Sequence, residues 1–239
     1  MEYFNSIYKK RLNRYGLDYQ SRIQGEREEN FERYLLKTVY RVDFLYEDKP
    51  IGGSLERYKQ DETETLQYLL VPIDIEIPAG TVLELEKRNG KKQHWMIYYL
   101  EEIQASGYNR YIVLKMTHQI TWKGRDKQQH TAWCYFYGQE NNMLKDEIRS
   151  RSRSNTIYAE NLKSNFFVTP LNKSINKDDY FEVGKDELKE AYRVTGFDRQ
   201  STPGIEYVTV DPIYIFDNTP APTPSNGEDE EDYYWIQEE

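Results

Sequence analysis

The sequence has a single cysteine, three histidines and no long apolar run. Cys134 has no partner for an internal disulfide, and one thiol excludes multi-cysteine zinc sites, which is typical of a reducing compartment. No stretch approaches the roughly 20 apolar residues that a membrane helix needs. Residues 1–14 also lack the apolar core of a signal peptide. We therefore expect a protein that folds in a cytosol and does not enter a membrane.

Residue types that carry catalysis are sparse and scattered. The histidines are 24 and 12 residues apart, which fits no local metal motif: His94, His118 and His130. Cys134 follows His130 by four residues in a predicted strand, whereas a nucleophile and its base usually meet at an accessible turn or helix terminus. A buried, inert thiol is therefore expected. A carboxylate pair for glycoside hydrolysis stays open among the 41 acids, but no acid stands in an apolar setting. We predict no catalytic residue, no metal ligand and no cofactor.

The negative charge is concentrated at the carboxyl end. The net charge is −9, and residues 226–239 contribute seven acids and no base, so the remainder carries −9 + 7 = −2. A nearly neutral body lacks the basic footprint of a free-standing nucleic-acid-binding protein.

Hydrophobic periodicity predicts a mainly β protein with one helix near its amino end. Apolar residues at helical spacing predict a helix over residues 26–37, with Gly16 and Gly25 interrupting the segment before it. From Val39 the period changes to two, and residues 48–53 read as a turn. The clearest strands that follow are 82–86, 94–100, 111–118, 119–122 and 130–137.

We predict four segments along the chain. An amino-terminal arm and helix occupy residues 1–38, and a first β unit occupies 39–142. A second β unit with a basic entry segment occupies 143–217, and a proline-rich linker and acidic aromatic tail occupy 218–239. Both β units are expected to be small and antiparallel, barrel-like or sandwich-like, and the tail extended.

A weak internal repeat relates residues 177–212 to residues 81–117. Each copy has a short strand, a charged turn, a strand that begins with an aromatic residue, and a return strand. The aromatic residue is Trp95 in the first copy and Tyr192 in the second. The pattern fits either a duplicated β unit or two unrelated meanders.

Two segments outside these strands are candidate contact sites. Three arginines alternate with serines, so an extended strand would place them on one face: Arg149, Arg151 and Arg153. They fit DNA phosphates, an acidic neighbour, or a solvated loop. At the carboxyl end, four apolar residues stand between acids and resemble a docking peptide: Tyr233, Tyr234, Trp235 and Ile236. An inert solubilising tail is the alternative.

The order of these parts resembles the head-closure, or head-to-tail connector, proteins of tailed bacteriophages that infect Gram-positive bacteria. The resemblance lies in Gly-Thr-Val-Leu-Glu-Leu at residues 80–85, Trp-Met-Ile-Tyr at 95–98, and the return strand and hairpin start at 114–122. It continues in Tyr-Arg-Val-Thr-Gly-Phe-Asp at 192–198 and Gly-Ile-Glu-Tyr-Val-Thr-Val at 204–210. It covers residues 26–217 and not the acidic tail.

The resemblance implies a structural virion protein without catalytic residues. Such a protein forms a ring below the portal, closes the DNA-filled head and joins the tail. Its implied partners are a portal or adaptor protein, tail proteins, further copies of itself and, without sequence preference, the packaged DNA. Two alternatives stay open: a tail-associated protein that binds or hydrolyses carbohydrate, for which the 22 tyrosines could form a sugar platform, and another tail or baseplate component.

Overall fold

The computed structural model describes residues 18–58, 65–101, 107–124, 127–137, 165–183 and 190–213. In these ranges the chain forms one helix, α1, and strands β1 to β12. The helix is Tyr19–Lys37. The strands are β1 Arg41–Tyr46, β2 Lys49–Arg57, β3 Leu66–Pro72, β4 Val82–Lys87, β5 Lys92–Glu101, β6 Tyr108–Met116, β7 His118–Lys123, β8 Gln129–Tyr137, β9 Asn165–Pro170, β10 Tyr180–Val183, β11 Glu190–Asp198 and β12 Ile205–Ile213.

The strands form two closed antiparallel barrels of six strands each. The first barrel has the order β1-β2-β3-β6-β5-β4, and the second has the order β7-β8-β9-β12-β11-β10. The mainly β fold class, with two small antiparallel units after an amino-terminal helix, is therefore confirmed.

Alternation along the strands fills the first barrel. In β1, Val42 and Phe44 are buried, while Asp43 and Leu45 between them are exposed. Ile77, from the segment between β3 and β4, and inward-facing residues of the other strands complete one apolar cluster: Ile51, Leu55, Leu69, Val71, Leu83, Leu85, Trp95, Ile97, Tyr111 and Val113. A period of two is what places these side chains on a single face of the closed sheet.

The second barrel has its own, more aromatic core. Phe167 packs against Phe136, Phe181 and Tyr192, with ring centroids 4.8, 5.9 and 5.5 Å away. Trp122 lies 5.6 Å from Phe181. Such tilted and edge-on contacts suit the charge distribution of aromatic rings and add to the effect of burying their area.

The two barrels share one strand order and one irregularity. Renumbering β7 to β12 as one to six reproduces the order of the first barrel. A β-bulge lies between Ile97 and Tyr99 in β5, and another between Val194 and Gly196 in β11. Each bulge falls three residues after the aromatic residue of its repeat, so the sequence repeat corresponds to a repeated structure.

The boundary between the β units differs from the predicted 142/143. The β7–β8 hairpin, assigned from sequence to the first unit, belongs to the second barrel. Strand β7 pairs with β10 through Ile120 and Val183, and β8 pairs with β9 through Phe136 and Phe167. The boundary between the two barrels was not predictable from the sequence, because only Thr117 separates the last strand of the first barrel, β6, from the first strand of the second, β7.

Helix α1 begins earlier than predicted, at Tyr19 rather than near residue 26, and it continues through Gly25. Asp18 caps it, since its side-chain Oδ1 accepts a hydrogen bond from the Ser21 backbone N–H at 2.8 Å. A glycine inside a helix costs about 1 kcal/mol relative to alanine, and a good cap contributes a similar amount.

Residues 48–53, predicted as a turn, mostly belong to strand β2. The turn itself is confined to Glu47 and Asp48, which have φ values of 50° and 61°. Gly53 lies within β2, where a Cβ atom would come within 2.8 Å of the Leu70 carbonyl oxygen on β3. This glycine therefore permits close strand approach rather than a reversal of the chain.

Candidate docking surface

Helix α1 packs one face on the outside of the first barrel. Phe31 and Leu35 are buried against Leu70, with Tyr68 and Tyr108 at the margin. The rings of Phe31 and Tyr108 lie 5.0 Å apart. This contact fixes the position of the last helical turn, and the residues on its opposite side face solvent.

Three apolar side chains are exposed where α1 ends. Leu36 is 69% exposed, Val39 73% and Tyr40 58%. The helix ends because Thr38 takes an extended conformation while its N–H still donates to the Tyr34 carbonyl oxygen at 2.9 Å. Residues 39 and 40 then connect the helix to β1, whose first inward-facing residue is Val42. They therefore lie outside the core.

Basic residues lie at the helix end and in the adjoining β4–β5 turn. The Arg88 guanidinium donates a hydrogen bond to the Leu36 carbonyl oxygen at 3.2 Å, which places it at the helix end. A cation near the last carbonyls also suits the negative end of the helix dipole. Lys37 lies in the last turn of α1. Lys87 lies opposite Val42 in the β4–β1 strand register, and its backbone N–H donates to the Lys91 carbonyl oxygen at 3.0 Å, which closes the β4–β5 turn.

These cations are not matched by acids in the described part of the chain. There, none of Lys37, Lys87, Arg88 and Lys91 forms an ion pair. Two neighbouring acids already have basic partners: Asp43 pairs with Arg41 at 2.9 Å, and Glu84 pairs with Lys92 at 2.7 Å. Glu86 lies opposite Lys92 in the strand register, and exposed Glu32 lies one helical turn before Leu36.

We call this set of residues the helix-end surface: Leu36, Lys37, Val39, Tyr40, Lys87, Arg88 and Lys91. An exposed apolar centre with a cationic rim has the chemistry to bind a partner that is apolar and acidic. Sequence reasoning missed it, because exposure at a helix end is not visible in a hydrophobic pattern. The basic run of the β4–β5 turn was visible, but its position beside α1 was not.

The second barrel contains a buried ion pair that the sequence did not reveal. Glu206 is fully buried, and its Oε1 accepts from Arg199 Nε at 2.6 Å while its Oε2 accepts from the Asn172 N–H at 3.2 Å. Arg199 also donates to the carbonyl oxygens of Asn172 and Ile175. Burial raises the pKa of Glu206, against the lowering effect of these donors. The arrangement ties β12 to the segment after β9.

The histidines are distributed over three settings. His94 in the first barrel has Nε2 3.4 Å from Glu84. His130 stacks on Trp122, with ring centroids 5.4 Å apart. His118 has Nδ1 2.7 Å from the Thr117 hydroxyl, and burial lowers its pKa. None of these contacts joins two histidines.

Cys134 is fully buried in the core of the second barrel, and burial raises the pKa of its thiol. It lies opposite His118 in the β7–β8 register, not beside His130. A thiol held protonated by apolar surroundings is a poor nucleophile. Its contacts therefore suit core packing.

Two further features of the described residues concern metal binding and membrane spanning. No group of three or more His, Cys, Asp or Glu side chains in these ranges is arranged to hold a metal ion. Helix α1, the described helix, does not have the apolar length to cross a bilayer. The predicted contact residues lie outside the described ranges: Arg149, Arg151, Arg153, Tyr233, Tyr234, Trp235 and Ile236.

Comparison with known proteins identifies no family. No protein-family model matches the chain, and no curated protein matches it. Among solved structures it is similar to MrkH, described as a c-di-GMP-dependent transcription regulatory factor, at 8% identity and a TM-score of 0.23, over 80% of this chain and 83% of MrkH. The apo form and the c-di-GMP complex of K. pneumonia MrkH each give 8% identity and a TM-score of 0.25, covering 80% of this chain and 84% and 86% of theirs. A likeness of this size carries no argument about fold or function.

Proposed function

We propose that the chain is a structural virion protein of a tailed bacteriophage. It forms a ring at the head–tail interface below the portal, closes the DNA-filled head and joins the tail. The observation that carries the proposal is the helix-end surface, because exposed apolar residues beside cations that form no ion pair with a described residue serve binding to a macromolecular partner rather than catalysis. The sequence resemblance to connector proteins gives the partner class: a portal or adaptor protein, tail proteins and further copies of this chain.

The features of the second barrel support a non-enzymatic role. Cys134 is protonated and enclosed, and the buried Glu206 is occupied by Arg199 and the Asn172 N–H. A catalytic acid or nucleophile must reach a substrate, and neither group is open to one. Both therefore act in holding the barrel together.

The carbohydrate alternative gains no support from the described residues. A sugar platform needs exposed aromatic rings side by side, whereas Tyr19 begins α1 and Tyr40 lies beyond its other end, and the helix between them is roughly 28 Å long at 1.5 Å per residue. Tyr34, which is 37% exposed, donates its hydroxyl hydrogen to Glu56 at 2.6 Å and stacks on Phe31. In the second barrel, Phe197 is partly exposed, and the Arg199 guanidinium lies over one face of its ring, 4.0 Å from the ring centroid.

The proposal is tested by measuring the mass of the purified chain alone and mixed with the portal protein of the same phage. We expect the mixture to contain a closed ring of this chain on the portal. Phage that lack the gene should fill their heads, lose the DNA and fail to attach tails. Tailed, infectious particles made without the chain, or virions that do not contain it, would overturn the proposal.

A further inference from the structure

We infer that the helix-end surface is the binding site for the acidic aromatic tail, residues 228–239, of a neighbouring copy of this chain. The inference deepens the proposed function, since it names one contact by which copies could join. It draws on three observations: an exposed apolar centre, nearby basic residues that form no ion pair within the described ranges, and a segment of the same chain with the complementary composition.

The apolar part of the match rests on similar residue types on both sides. The surface offers Leu36, Val39 and Tyr40, each more than half exposed. The tail offers Tyr233, Tyr234, Trp235 and Ile236. Aromatic residues, above all tryptophan and tyrosine, supply most of the binding energy at protein interfaces, because they remove a large apolar area from water while losing few rotamers.

The electrostatic part is equally specific. Four basic residues lie at the helix end and in the adjoining β4–β5 turn, without an ion pair to any described residue. Residues 226–239 carry seven acids and no base, five of them immediately before Tyr233 and two at the end of the chain. A peptide whose apolar centre is flanked by acids on both sides therefore matches a surface whose apolar centre is flanked by bases.

The sequence between the second barrel and the tail favours a contact with another copy. Strand β12 ends at Ile213, and the following residues include Pro220, Pro222 and Pro224. Alternating prolines favour an extended conformation of about 3.1 Å per residue, which acts as a spacer rather than folding back. The tail and the helix-end surface are different parts of the chain, so their contact is head-to-tail, the type that closes into a ring when the rotation permits.

Binding is measured with a fluorescent peptide of residues 226–239 and the full-length Trp235→Ala chain, whose own tail is weakened. We expect saturable binding by fluorescence anisotropy. Replacing two exposed apolar side chains, Leu36→Ser with Val39→Ser, should weaken it by about tenfold or more, since each 1.4 kcal/mol of lost burial is a factor of ten. The matched control is Leu45→Ser, because Leu45 is 67% exposed on β1 of the same barrel and should have little effect.

The charge contribution is tested with the same peptide. Lys37→Gln with Lys91→Gln should weaken binding at low salt and have a smaller effect at high salt, because screening removes much of the attraction there. Absence of peptide binding, or equal weakening by the Leu45 control and the Leu36–Val39 variant, would overturn the inference.

Mixing two full-length variants tests the neighbouring copy. Trp235→Ala retains its helix-end surface, and the Leu36→Ser, Val39→Ser variant retains its tail, so neither alone has both parts. We expect each variant to remain monomeric in analytical ultracentrifugation and the mixture to form dimers. A peptide that binds while the mixture stays monomeric would place the tail on its own chain and overturn the inference. Neither result depends on the portal, so ring formation with portal stands or fails separately.

Discussion

Arg199 donates from its guanidinium Nε to Oε1 of the fully buried Glu206 over 2.6 Å. Replacing Glu206 with alanine leaves Arg199 without its anion and the Asn172 N–H without an acceptor. We expect a loss of about 2–3 kcal/mol in the free energy of unfolding, toward the lower end for broken buried pairs because Arg199 is partly exposed. Urea denaturation measures this, and unchanged stability would contradict the role assigned to the pair.

The same residue gives a pH dependence with a definite sign. The unfolded chain releases the Glu206 proton near the ordinary pKa of 4.5, whereas the folded protein retains it to higher pH because its pKa is raised. The folded state thus binds more protons above pH 4.5, and this contribution to stability falls as pH rises from there to the folded pKa. Glu206→Gln removes the titration. The difference in unfolding free energy between wild type and Glu206→Gln should therefore decrease over that window and then become constant.

Gly53 and Gly52 form a matched pair for testing strand approach. Gly53→Ala would place a Cβ atom 2.8 Å from the Leu70 carbonyl oxygen, whereas Gly52→Ala would meet no heavy atom closer than Asp43 Oδ1 at 3.4 Å. We expect Gly53→Ala to destabilise the protein by about 1–3 kcal/mol, the usual range for overpacking. Gly52→Ala should be close to neutral. Equal thermal stability of the two variants would show that β2 and β3 can separate without cost.

Cys134 should be unreactive toward a thiol reagent in the native protein. Burial raises its pKa, so little thiolate is present, and the barrel core blocks access. Because the chain has one cysteine, the whole signal in a colorimetric thiol assay belongs to this residue. We expect rapid reaction in urea and very slow reaction without it. Rapid labelling of the folded protein would instead indicate an accessible thiol and reopen the case for a nucleophile.

Arg149, Arg151 and Arg153 retain their sequence-based prediction of contact with DNA phosphates or an acidic neighbour. Replacing all three with alanine should weaken DNA retention in assembled particles, most at low salt, where the lost electrostatic attraction is largest. The interleaved residues provide the control, a triple Ser→Ala variant of Ser150, Ser152 and Ser154. Normal DNA retention by the arginine variant at every salt concentration would favour a solvated loop.

Most of the β structure was predictable because burial in a closed sheet alternates residue by residue. Val42 and Phe44 alternate with Asp43 and Leu45 in the sequence, and in the structure the first two are buried and the other two exposed. Gly53 shows the limit of this reasoning: glycine marks a turn and a close strand contact equally well in a sequence. The extent of β2 depended on Leu70, a residue from another strand.

Contacts distant in sequence explain the remaining differences. Nothing in the sequence distinguishes Glu206 from the other 40 acids, because its contacts with Arg199 and Asn172 form only in the folded barrel. The hairpin after Met116 looks continuous with the first β unit, and only its pairing with β9 and β10 assigns it to the second barrel. The helix-end surface likewise depends on Arg88 reaching Leu36 from a turn 52 residues further along the chain.

Closure of both sheets has a consequence for crowded conditions. In each barrel the first and last strands of the row hydrogen-bond to each other, β1 with β4 and β7 with β10. Every strand therefore has a hydrogen-bonded neighbour on both sides, which limits the strand edge to which another polypeptide could add by backbone pairing, a route to aggregation. The barrels would therefore bind a partner mainly through surface side chains. A change of partner would then require surface substitutions and no change in the backbone hydrogen bonds of the sheets.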